Sequence, residues 1–435
     1  MERAELARLL GEWGRTVVAD SGSRRVKDNA PYQIISEIDP GKFMAAFADA
    51  VAGEGDVFLC DPKWNEVERG ALNAMLVGSD QTSALGARRA TAETAGSEGG
   101  RDLRSSENGV GWLMIPTGGT AGTLRFARHD SGTISAALAG FTEHFGLARV
   151  NAVGVLPLHH VSGLMAWLRC VITGGNYLHA DGKEIEAGRR TKPPEAKDGW
   201  VISLVPTQLE RLLREPAAVA WLQNFRIIFL GGGPSWPELL ERAAGLRLPL
   251  ALGYGMTETA AMVTALRPGE FLAGSRSSGT ALPHAQVVIN AEGAITIASA
   301  SLFRGYYPDW RAGDVFTTED LGTIKAGGHL TVLGRRDGVI ITGGEKVTPA
   351  EVEAVLRGTS EFSDVVVLGL PHAEWGMRVV AVYPEGGTPN LERVRAALAQ
   401  QLARYKHPQA YLASSFWPRN AQGKINRSEL RQRLG

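Results

Sequence analysis

Short apolar segments that end in glycine or proline alternate with helical patterns between residues 112 and 256, and this alternation most constrains the fold. The segments are WLMIP at 112–116, NAVGVLPL at 151–158, WVISLVP at 200–206, FRIIFLGGG at 225–233 and LPLALGYG at 248–255. Strands that are apolar throughout and separated by helices predict an α/β domain with a largely parallel sheet. Such sheets bind ligands at the carboxyl ends of their strands. We therefore expect the glycine-rich ends at 117–122, 231–233 and 253–255 to face one cleft.

The texture of the chain changes twice after this region. Beyond residue 280, short strands and turns predict a β-rich subdomain. The charged turn GRRDG at 334–338 precedes a segment with its own strand and helix patterns, which predicts a small α+β domain. We expect a large domain over 1–336 and a small C-terminal domain over 337–435.

Two helices of the small domain are predicted in more detail. Thr348, Pro349 and Glu351 have the spacing of a capping box with proline at the first helical position. Apolar residues between 391 and 405 recur on one face, which predicts a helix through Tyr405.

Charge and cysteine content exclude several classes of protein. The 46 basic and 46 acidic side chains cancel, so neither nucleic acid nor an anionic membrane is expected as a general partner. The N-terminal helix MERAELARLLGEW carries charges and does not resemble a signal peptide, and no window has the length and apolarity of a membrane span. Cys60 and Cys170 lie in apolar surroundings typical of core residues in a reducing compartment. A cytoplasmic protein is expected.

The loop after the first apolar segment has the composition of an anion site. Residues 117–123 contain three glycines and three threonines, and Arg125 and Arg128 follow. Glycines let backbone N–H groups approach phosphate, hydroxyls add donors and arginines add charge. A flexible turn between two strands is the alternative, and the Walker A spacing is absent.

Four further stretches carry residues with chemical potential. In GYGMTE, Tyr254 offers a flat face for a base, Thr257 a hydroxyl for phosphate and Glu258 an oxygen ligand for Mg2+; a strand-end turn with a solvated Glu258 is the alternative. His159 and His160 could bind a metal, but neighbours on an extended chain point to opposite sides, which favours one lining a pocket while the other packs. An acidic turn at 317–322 and a lysine-bearing glycine turn at 418–427 could equally be solvated surface.

Taken in order, these motifs resemble the adenylate-forming superfamily of acyl-CoA synthetases, luciferases and peptide-synthetase adenylation domains. The Gly/Thr loop, HH-x-SG, GYGMTE, TTEDLG, GRRDGVIITGGEKVTPAEVE and PRNAQGKINR occur in the family's order over residues 110–435. Within that superfamily, LPLHHVSGLMAWLR and SLVPTQLERLL look like the o-succinylbenzoate–CoA ligases of menaquinone and phylloquinone synthesis.

The resemblance implies a two-step reaction that uses ATP, Mg2+ and CoA. The carboxylate of an aromatic acid would attack the α-phosphorus of ATP and release pyrophosphate, and the CoA thiol would then attack the acyl-adenylate. A second carboxylate, as in o-succinylbenzoate, calls for a cation or several donors in the acyl pocket, and the nearby candidates are Ser203, Thr207, Gln208 and Arg169.

The resemblance also assigns the ATP site residue by residue. Asp320 and Arg335 would hold the ribose, Thr257 would contact the α-phosphate and Glu258 would bind Mg2+. Tyr254 would lie against adenine beside Gly231, Gly232 and Gly233. The β- and γ-phosphates would be held by Thr117, Gly118, Gly119, Thr120, Gly122 and Arg125.

The remaining roles concern acyl transfer and domain motion. His160 would line the acyl pocket and close it until adenylation is complete. Lys424 would reach the carboxylate and α-phosphate during adenylation, whereas Gly344 would later line the pantetheine tunnel. Asp337 would be the hinge about which the small domain swings between these two steps.

The chain departs from the family pattern in its phosphate loop and length. Gly118, Ala121, Leu124 and Arg125 stand where the family commonly has Ser, Thr, Pro and Lys, so backbone N–H groups and Arg125 would provide the anion binding. The chain is short before residue 110, where part of the usual first subdomain is expected to be trimmed. Three alternatives stay open: another aryl- or fatty-acyl-CoA ligase, an adenylation enzyme that loads a carrier-protein thiol, and a non-catalytic nucleotide sensor. A homodimer is also left open.

Overall fold

Four β-sheets organise the protein in the computed structural model. It describes residues 1–17, 32–64, 66, 68–77, 111–117, 124–190, 199–233, 235–342, 345–372, 374–419 and 425–434. The first three sheets lie within 1–336 and the fourth begins at residue 340. Placement of a domain boundary near Asp337 stays a prediction.

The first sheet has four strands in the order β1-β2-β3-β4, with β4 antiparallel to β3. Its helices bury aromatic side chains: Phe47 of α2 packs edge-on against Trp167, with ring centroids 5.5 Å apart. The elements are α1 (Arg3–Val17), β1 (Tyr32–Ile35), α2 (Pro40–Ala52), β2 (Asp56–Leu59), α3 (68–77), β3 (Leu113–Thr117) and β4 (Arg125–His129).

The second sheet has seven strands in the order β11-β10-β9-β8-β7-β5-β6. The five strands β5 to β9 are parallel, as predicted, and β10 and β11 are antiparallel additions. The strands are β5 (Asn151–Gly154), β6 (Tyr177–His179), β7 (Trp200–Leu204), β8 (Ile227–Leu230), β9 (Leu250–Met256), β10 (Ala261–Ala265) and β11 (Thr280–Ala281). The helices are α4 (Ser131–Phe145), α5 (Val161–Ile172), α6 (Gly182–Glu186), α7 (Pro206–Leu212), α8 (Pro216–Leu222), α9 (Pro237–Gly245) and α10 (Pro268–Leu272).

The third sheet confirms the predicted β-rich subdomain. Two hairpins form an antiparallel sheet in the order β12-β13-β14-β15. Its strands are β12 (Ala285–Ile289), β13 (Ala294–Ser299), β14 (Val315–Ile324) and β15 (Leu330–Arg335).

The fourth sheet, with its helices, forms the C-terminal α+β unit. Glu353 of α11 is fully buried and is paired with Arg427 of α13, which ties two helices across the sheet. The guanidinium of Arg357 lies 5.5 Å from the ring of Trp236, so α11 contacts the large domain beside α9. The elements are β16 (Ile340–Thr342), β17 (Glu345–Val347), α11 (Pro349–Gly358), β18 (Val366–His372), β19 (Gly376–Pro384), α12 (Leu391–Gln401), β20 (Ala410–Ser414) and α13 (Arg427–Leu434).

Two details of the small domain differ from the sequence predictions. Pro349 is the first residue of α11, but the Thr348 side chain makes no capping hydrogen bond. Glu351 instead accepts hydrogen bonds from Lys406 at 2.7 and 2.8 Å, so the predicted capping box does not form. Helix α12 ends at Gln401, and Tyr405 lies beyond it in a short 3-10 turn, 41% exposed.

Two general expectations can be compared with the described residues. Both cysteines are buried and free, as predicted. Within the described parts of the chain, we find no helix with the length and apolarity needed to cross a membrane.

Candidate active site

A short turn joins the parallel part of the second sheet to its antiparallel edge. Residues Thr257–Thr259 form a 3-10 turn between β9 and β10, and the Met256 N–H donates to the Thr259 hydroxyl at 2.9 Å. Ala260 and Ala261 follow with φ of 49° and 88°. Left-handed conformations of non-glycine residues cost on the order of 1–3 kcal/mol each and tend to occur at functional sites. The turn therefore fixes where Thr257 and Glu258 lie.

Tyr254 is tied to the third sheet by its hydroxyl group. The Oη atom donates to Asp320 Oδ2 at 2.7 Å, and Arg335 Nη1 lies 3.7 Å from Asp320 Oδ1. Burial and the negative charge of Asp320 raise the pKa of Tyr254, so its hydroxyl stays a proton donor. Asp320 lies within β14 opposite Arg335 of β15, not in the turn predicted from sequence. The structure thus brings together the three residues expected at the nucleoside.

Glu258 is held by a tyrosine that the sequence analysis missed. Its side chain is buried, and Tyr306 Oη donates to Glu258 Oε1 at 2.6 Å. Burial and the Glu258 charge raise the pKa of Tyr306, whereas Arg125 and Arg335 oppose that increase. The Arg125 guanidinium lies 4.6 Å from the centre of the Tyr306 ring. Two cations and one oriented carboxylate therefore surround this tyrosine.

The geometry at Glu258 suits Mg2+. Glu258 Oε2 makes no hydrogen bond to any residue in the described part of the chain, so one hard oxygen is available to an ion. Magnesium is commonly bound through one or two carboxylates together with substrate phosphates. The nearby arginines would favour the phosphates.

His129 holds the turn from the opposite side. Its Nε2 lies 2.8 Å from the carbonyl oxygen of Thr257, and its Nδ1 lies 3.0 Å from the Thr133 hydroxyl. A carbonyl oxygen only accepts, so Nε2 carries the proton. Burial lowers the pKa of His129 to about 4, which keeps the ring neutral. The end of β4 is thereby fixed to the Thr257 turn.

The segment that carries Tyr306 is itself fastened to β4. Arg304 N–H donates to Arg128 O at 2.7 Å and Arg128 N–H donates to Gly305 O at 2.9 Å. The Arg304 side chain pairs with Asp130 at 2.5 Å. These backbone hydrogen bonds and the Arg304–Asp130 ion pair therefore fix the position of Tyr306 relative to Glu258.

The residues that were predicted to face one cleft belong to two different sheets. Gly231 follows β8, and a Cβ added there would lie 3.7 Å from Gly253 O of the neighbouring strand. Gly232 has φ of 77°, which favours glycine. Gly253 and Gly255 lie inside β9, not beyond its end, and a Cβ on Gly255 would clash with Ala261 O. Thr117 is the last residue of β3, which belongs to the first sheet and not to the second. The sequence pattern did not separate the two sheets, because a buried strand of either sheet is apolar throughout.

The histidine pair does not diverge as predicted. His159 and His160 lie in a turn before α5, and their ring centroids are 4.3 Å apart. His159 Nε2 faces Asp61 Oδ2 at 3.6 Å, and both side chains are buried. Burial raises the pKa of Asp61, but the facing His159 and the Lys63 N–H outweigh it and leave that pKa below its usual value. The expectation of opposite directions is wrong: His159 lies in a turn, which brings its ring beside that of His160 although His160 itself has an extended backbone.

Two residues suggested for a second substrate carboxylate have distinct surroundings. Gln208 Oε1 accepts from the Val205 N–H at 3.0 Å, so this side chain caps α7. Arg169 is 4% exposed, lies 3.7 Å above the Phe141 ring, and its Nε has no hydrogen-bond partner among the described residues. Burial lowers the pKa of Arg169 to about 9. Arg169 is thus a buried cation available to an anion.

Several predicted site residues lie outside the described residues. These are Gly118, Gly119, Thr120, Gly122, Gly344 and Lys424. Asp337 lies in a 3-10 turn after β15, and only its backbone is described. Their roles stay predictions.

Residues 77–307 match the family described as AMP-binding enzyme, and residues 351–424 match its C-terminal domain. The chain belongs to the AMP-binding enzyme family. The described cluster of Tyr254, Glu258 and Tyr306 lies within the first match.

Curated relatives of this AMP-binding enzyme are named 2-succinylbenzoate--CoA ligase. One from Listeria monocytogenes serotype 4b (strain F2365) is 35% identical over 287 residues, which cover 64% of this chain and 60% of the relative. One from Geobacillus kaustophilus (strain HTA426) is 32% identical over 343 residues, which cover 73% of this chain and 68% of the relative. The match thus leaves out about two fifths of the Listeria protein's length.

Solved structures share the fold. An o-succinylbenzoate CoA synthetase from Bacillus subtilis, in complex with the acyl-adenylate intermediate OSB-AMP, aligns with a TM-score of 0.74 at 22% identity, covering 98% of this chain and 91% of that one. ATP-bound MatB from Rhodopseudomonas palustris also aligns with a TM-score of 0.74, at 23% identity, covering 99% and 93%. The predicted α/β architecture with a smaller α+β unit at the C-terminus is confirmed.

Proposed function

We propose that this AMP-binding enzyme activates a carboxylic acid with ATP and Mg2+ and transfers the acyl group to CoA. The observation that carries the proposal is the Tyr254–Asp320–Arg335 cluster beside Glu258 and Tyr306. It offers an aromatic side chain for a base, a carboxylate for ribose hydroxyls and an oriented carboxylate for Mg2+. These groups suit a nucleoside triphosphate whose α-phosphate lies near Thr257.

The chain's own residues would act by positioning and charge neutralisation. Glu258, oriented by Tyr306, would hold Mg2+, which lowers the repulsion between an incoming carboxylate and the phosphates. His129 holds the Thr257 turn rigid, so a donor there meets the α-phosphate without reorganisation. Arg125 would balance charge on the pyrophosphate side.

The acid we propose is 2-succinylbenzoate, which would place the enzyme in quinone biosynthesis. The names of the curated relatives support this choice. A second carboxylate needs a cation in the acyl pocket, and Arg169 is a buried guanidinium in α5, the helix that begins directly after His160. A cytoplasmic location and a homodimer also stay proposals, testable by fractionation and by light scattering.

A panel of acids tests the substrate. Pyrophosphate release should be fastest with 2-succinylbenzoate, and AMP should follow when CoA is added. Turnover of benzoate or a fatty acid with none of 2-succinylbenzoate would overturn the choice of acid. AMP release with a carrier protein but not with CoA would instead favour a stand-alone adenylation enzyme.

A further inference from the structure

Three side chains of the types that bind metals converge beside the end of β2 and the start of α5. Asp61 follows β2, and His159 and His160 precede α5, about a hundred residues later in the chain. Each offers one ligand atom, and these atoms all lie within 4.8 Å of one another. Asp61 is 8% and His159 7% exposed, so two of the three ligands are shielded from water.

The carboxylate is oriented as a ligand would be. Asp61 Oδ1 accepts from the Lys63 N–H at 2.9 Å, which leaves Oδ2 directed at His159 Nε2. The Oδ2–Nε2 separation is 3.6 Å, longer than a good hydrogen bond. Two ligands on a tetrahedral ion, each about 2.0–2.1 Å from the metal, stand roughly 3.3–3.4 Å apart. The pair is therefore spaced more like two ligands than like donor and acceptor.

The third ligand is held by its backbone. His160 is the N-cap of α5, and its carbonyl accepts from the Leu164 N–H at 2.9 Å. Its side chain as a whole is half-buried, but its Nε2 atom is shielded from solvent, as is Nε2 of His159.

We propose that Asp61, His159 and His160 form a site for a divalent transition metal, best matched by Zn2+. Two imidazoles and one carboxylate suit zinc and its neighbours, whereas Mg2+ prefers oxygen alone. Glu258, the proposed Mg2+ ligand, is not a member of this cluster. An ion here would fix the His160 ring. On the proposed function, where His160 gates the acyl pocket, zinc would therefore inhibit turnover.

The site is tested by titrating the metal-stripped 435-residue chain with Co2+ and measuring the visible absorption. We expect one equivalent to bind with the intense bands of low-symmetry cobalt. His159→Phe, which keeps a ring against His160, and Asp61→Asn should each weaken binding by roughly 100-fold or more. His179→Gln, an exposed histidine outside the cluster, should leave binding unchanged. Thermal unfolding checks that each variant folds, and Asp61→Asn carries the test if His159→Phe does not.

Two outcomes would overturn the site: no cobalt spectrum with the wild-type protein, or equal binding by the folded variants. Because absorption requires no substrate, this result stands whether or not 2-succinylbenzoate is turned over. Where turnover is measured, Zn2+ should slow the wild-type enzyme and have a roughly 100-fold weaker effect on Asp61→Asn. Equal inhibition of both would contradict the gating consequence alone.

Discussion

At the scale of single residues, the orientation of the Glu258 carboxylate depends on the Tyr306 hydroxyl group. Tyr306→Phe removes the 2.6 Å hydrogen bond that orients the carboxylate. We expect the Mg2+ concentration for half-maximal pyrophosphate release to increase by about 10-fold, since outer ligand contacts typically contribute 10–100-fold. Tyr307→Phe is the matched control, because its ring packs on Phe58 at 5.0 Å and, among the described residues, its hydroxyl makes no hydrogen bond to Glu258. An unchanged Mg2+ dependence for Tyr306→Phe would contradict the assigned role.

His129 makes stability depend on pH. The unfolded chain protonates this histidine near its ordinary value of 6.5, whereas burial lowers the folded pKa to about 4. Between these values the unfolded state binds more protons, so stability is present above pH 6.5 and is lost as the pH falls toward 4. The loss contributed by His129 approaches about 3 kcal/mol. Urea unfolding at pH 7.5 and 5 should show a smaller pH difference for His129→Gln than for wild type.

His284 shifts in the same direction, since burial lowers its pKa to about 4 as well. The comparison between wild type and His129→Gln therefore isolates one histidine. The variant should also be less stable at pH 7.5 by about 1 kcal/mol, because it disturbs the bond to Thr257 O. Equal pH dependence in both proteins would show that His129 does not resist protonation.

At the scale of elements, helix α5 carries the prediction about the second carboxylate. Arg169 lies in its last turn, buried against Phe141. Arg169→Met keeps the length and removes the charge, so we expect KM for 2-succinylbenzoate to rise at least about 10-fold, consistent with loss of a charged hydrogen bond. KM for ATP should not change. Arg267→Met, which removes a hydrogen bond to His144 O, is the control. An unchanged KM for the acid would exclude Arg169 from the pocket.

Elements whose formation depends on residues nearby in the chain were predictable from sequence. Features that depend on contacts with distant residues were not. The apolar runs at β5, β7, β8 and β9 indicated a parallel sheet because burial on both faces requires such runs. The antiparallel return of β10 depends on a turn whose shape is fixed by His129, far away in the chain. Glu351 does not cap α11 as predicted but pairs with Lys406, which lies 55 residues further along the chain.

The candidate site follows the same division. GYGMTE alone left a strand-end turn with a solvated Glu258 open, and Tyr254 and Glu258 were assigned their roles only because the segment occurs in order with the other family motifs. Tyr306 was missed, since its partner is 48 residues away and its local sequence FRGYYPDW gives no catalytic pattern. Asp61 was missed for the same reason, because the histidine pair that it faces lies far along the chain, between β5 and α5.

At the scale of the whole molecule, we propose that the small domain would adopt two positions, one for each half-reaction. Lys424→Ala should reduce acyl-adenylate formation by about 100-fold or more, because one preorganised charge at the α-phosphate contributes that much. Thioester formation from supplied acyl-adenylate should stay within about twofold, since on this proposal the lysine would have no part in that step. Lys406→Ala, which breaks an ion pair within the small domain, controls for stability. Equal losses in both half-reactions would contradict this division of labour.

The proposed reaction is tested most directly by a single turnover with 2-succinylbenzoate and ATP in the absence of CoA, analysed by mass spectrometry. We expect pyrophosphate and about one equivalent of enzyme-bound acyl-adenylate, followed by AMP and the acyl-CoA thioester when CoA is added. ADP and phosphate in place of AMP and pyrophosphate, or no acyl-adenylate with any acid, would contradict it.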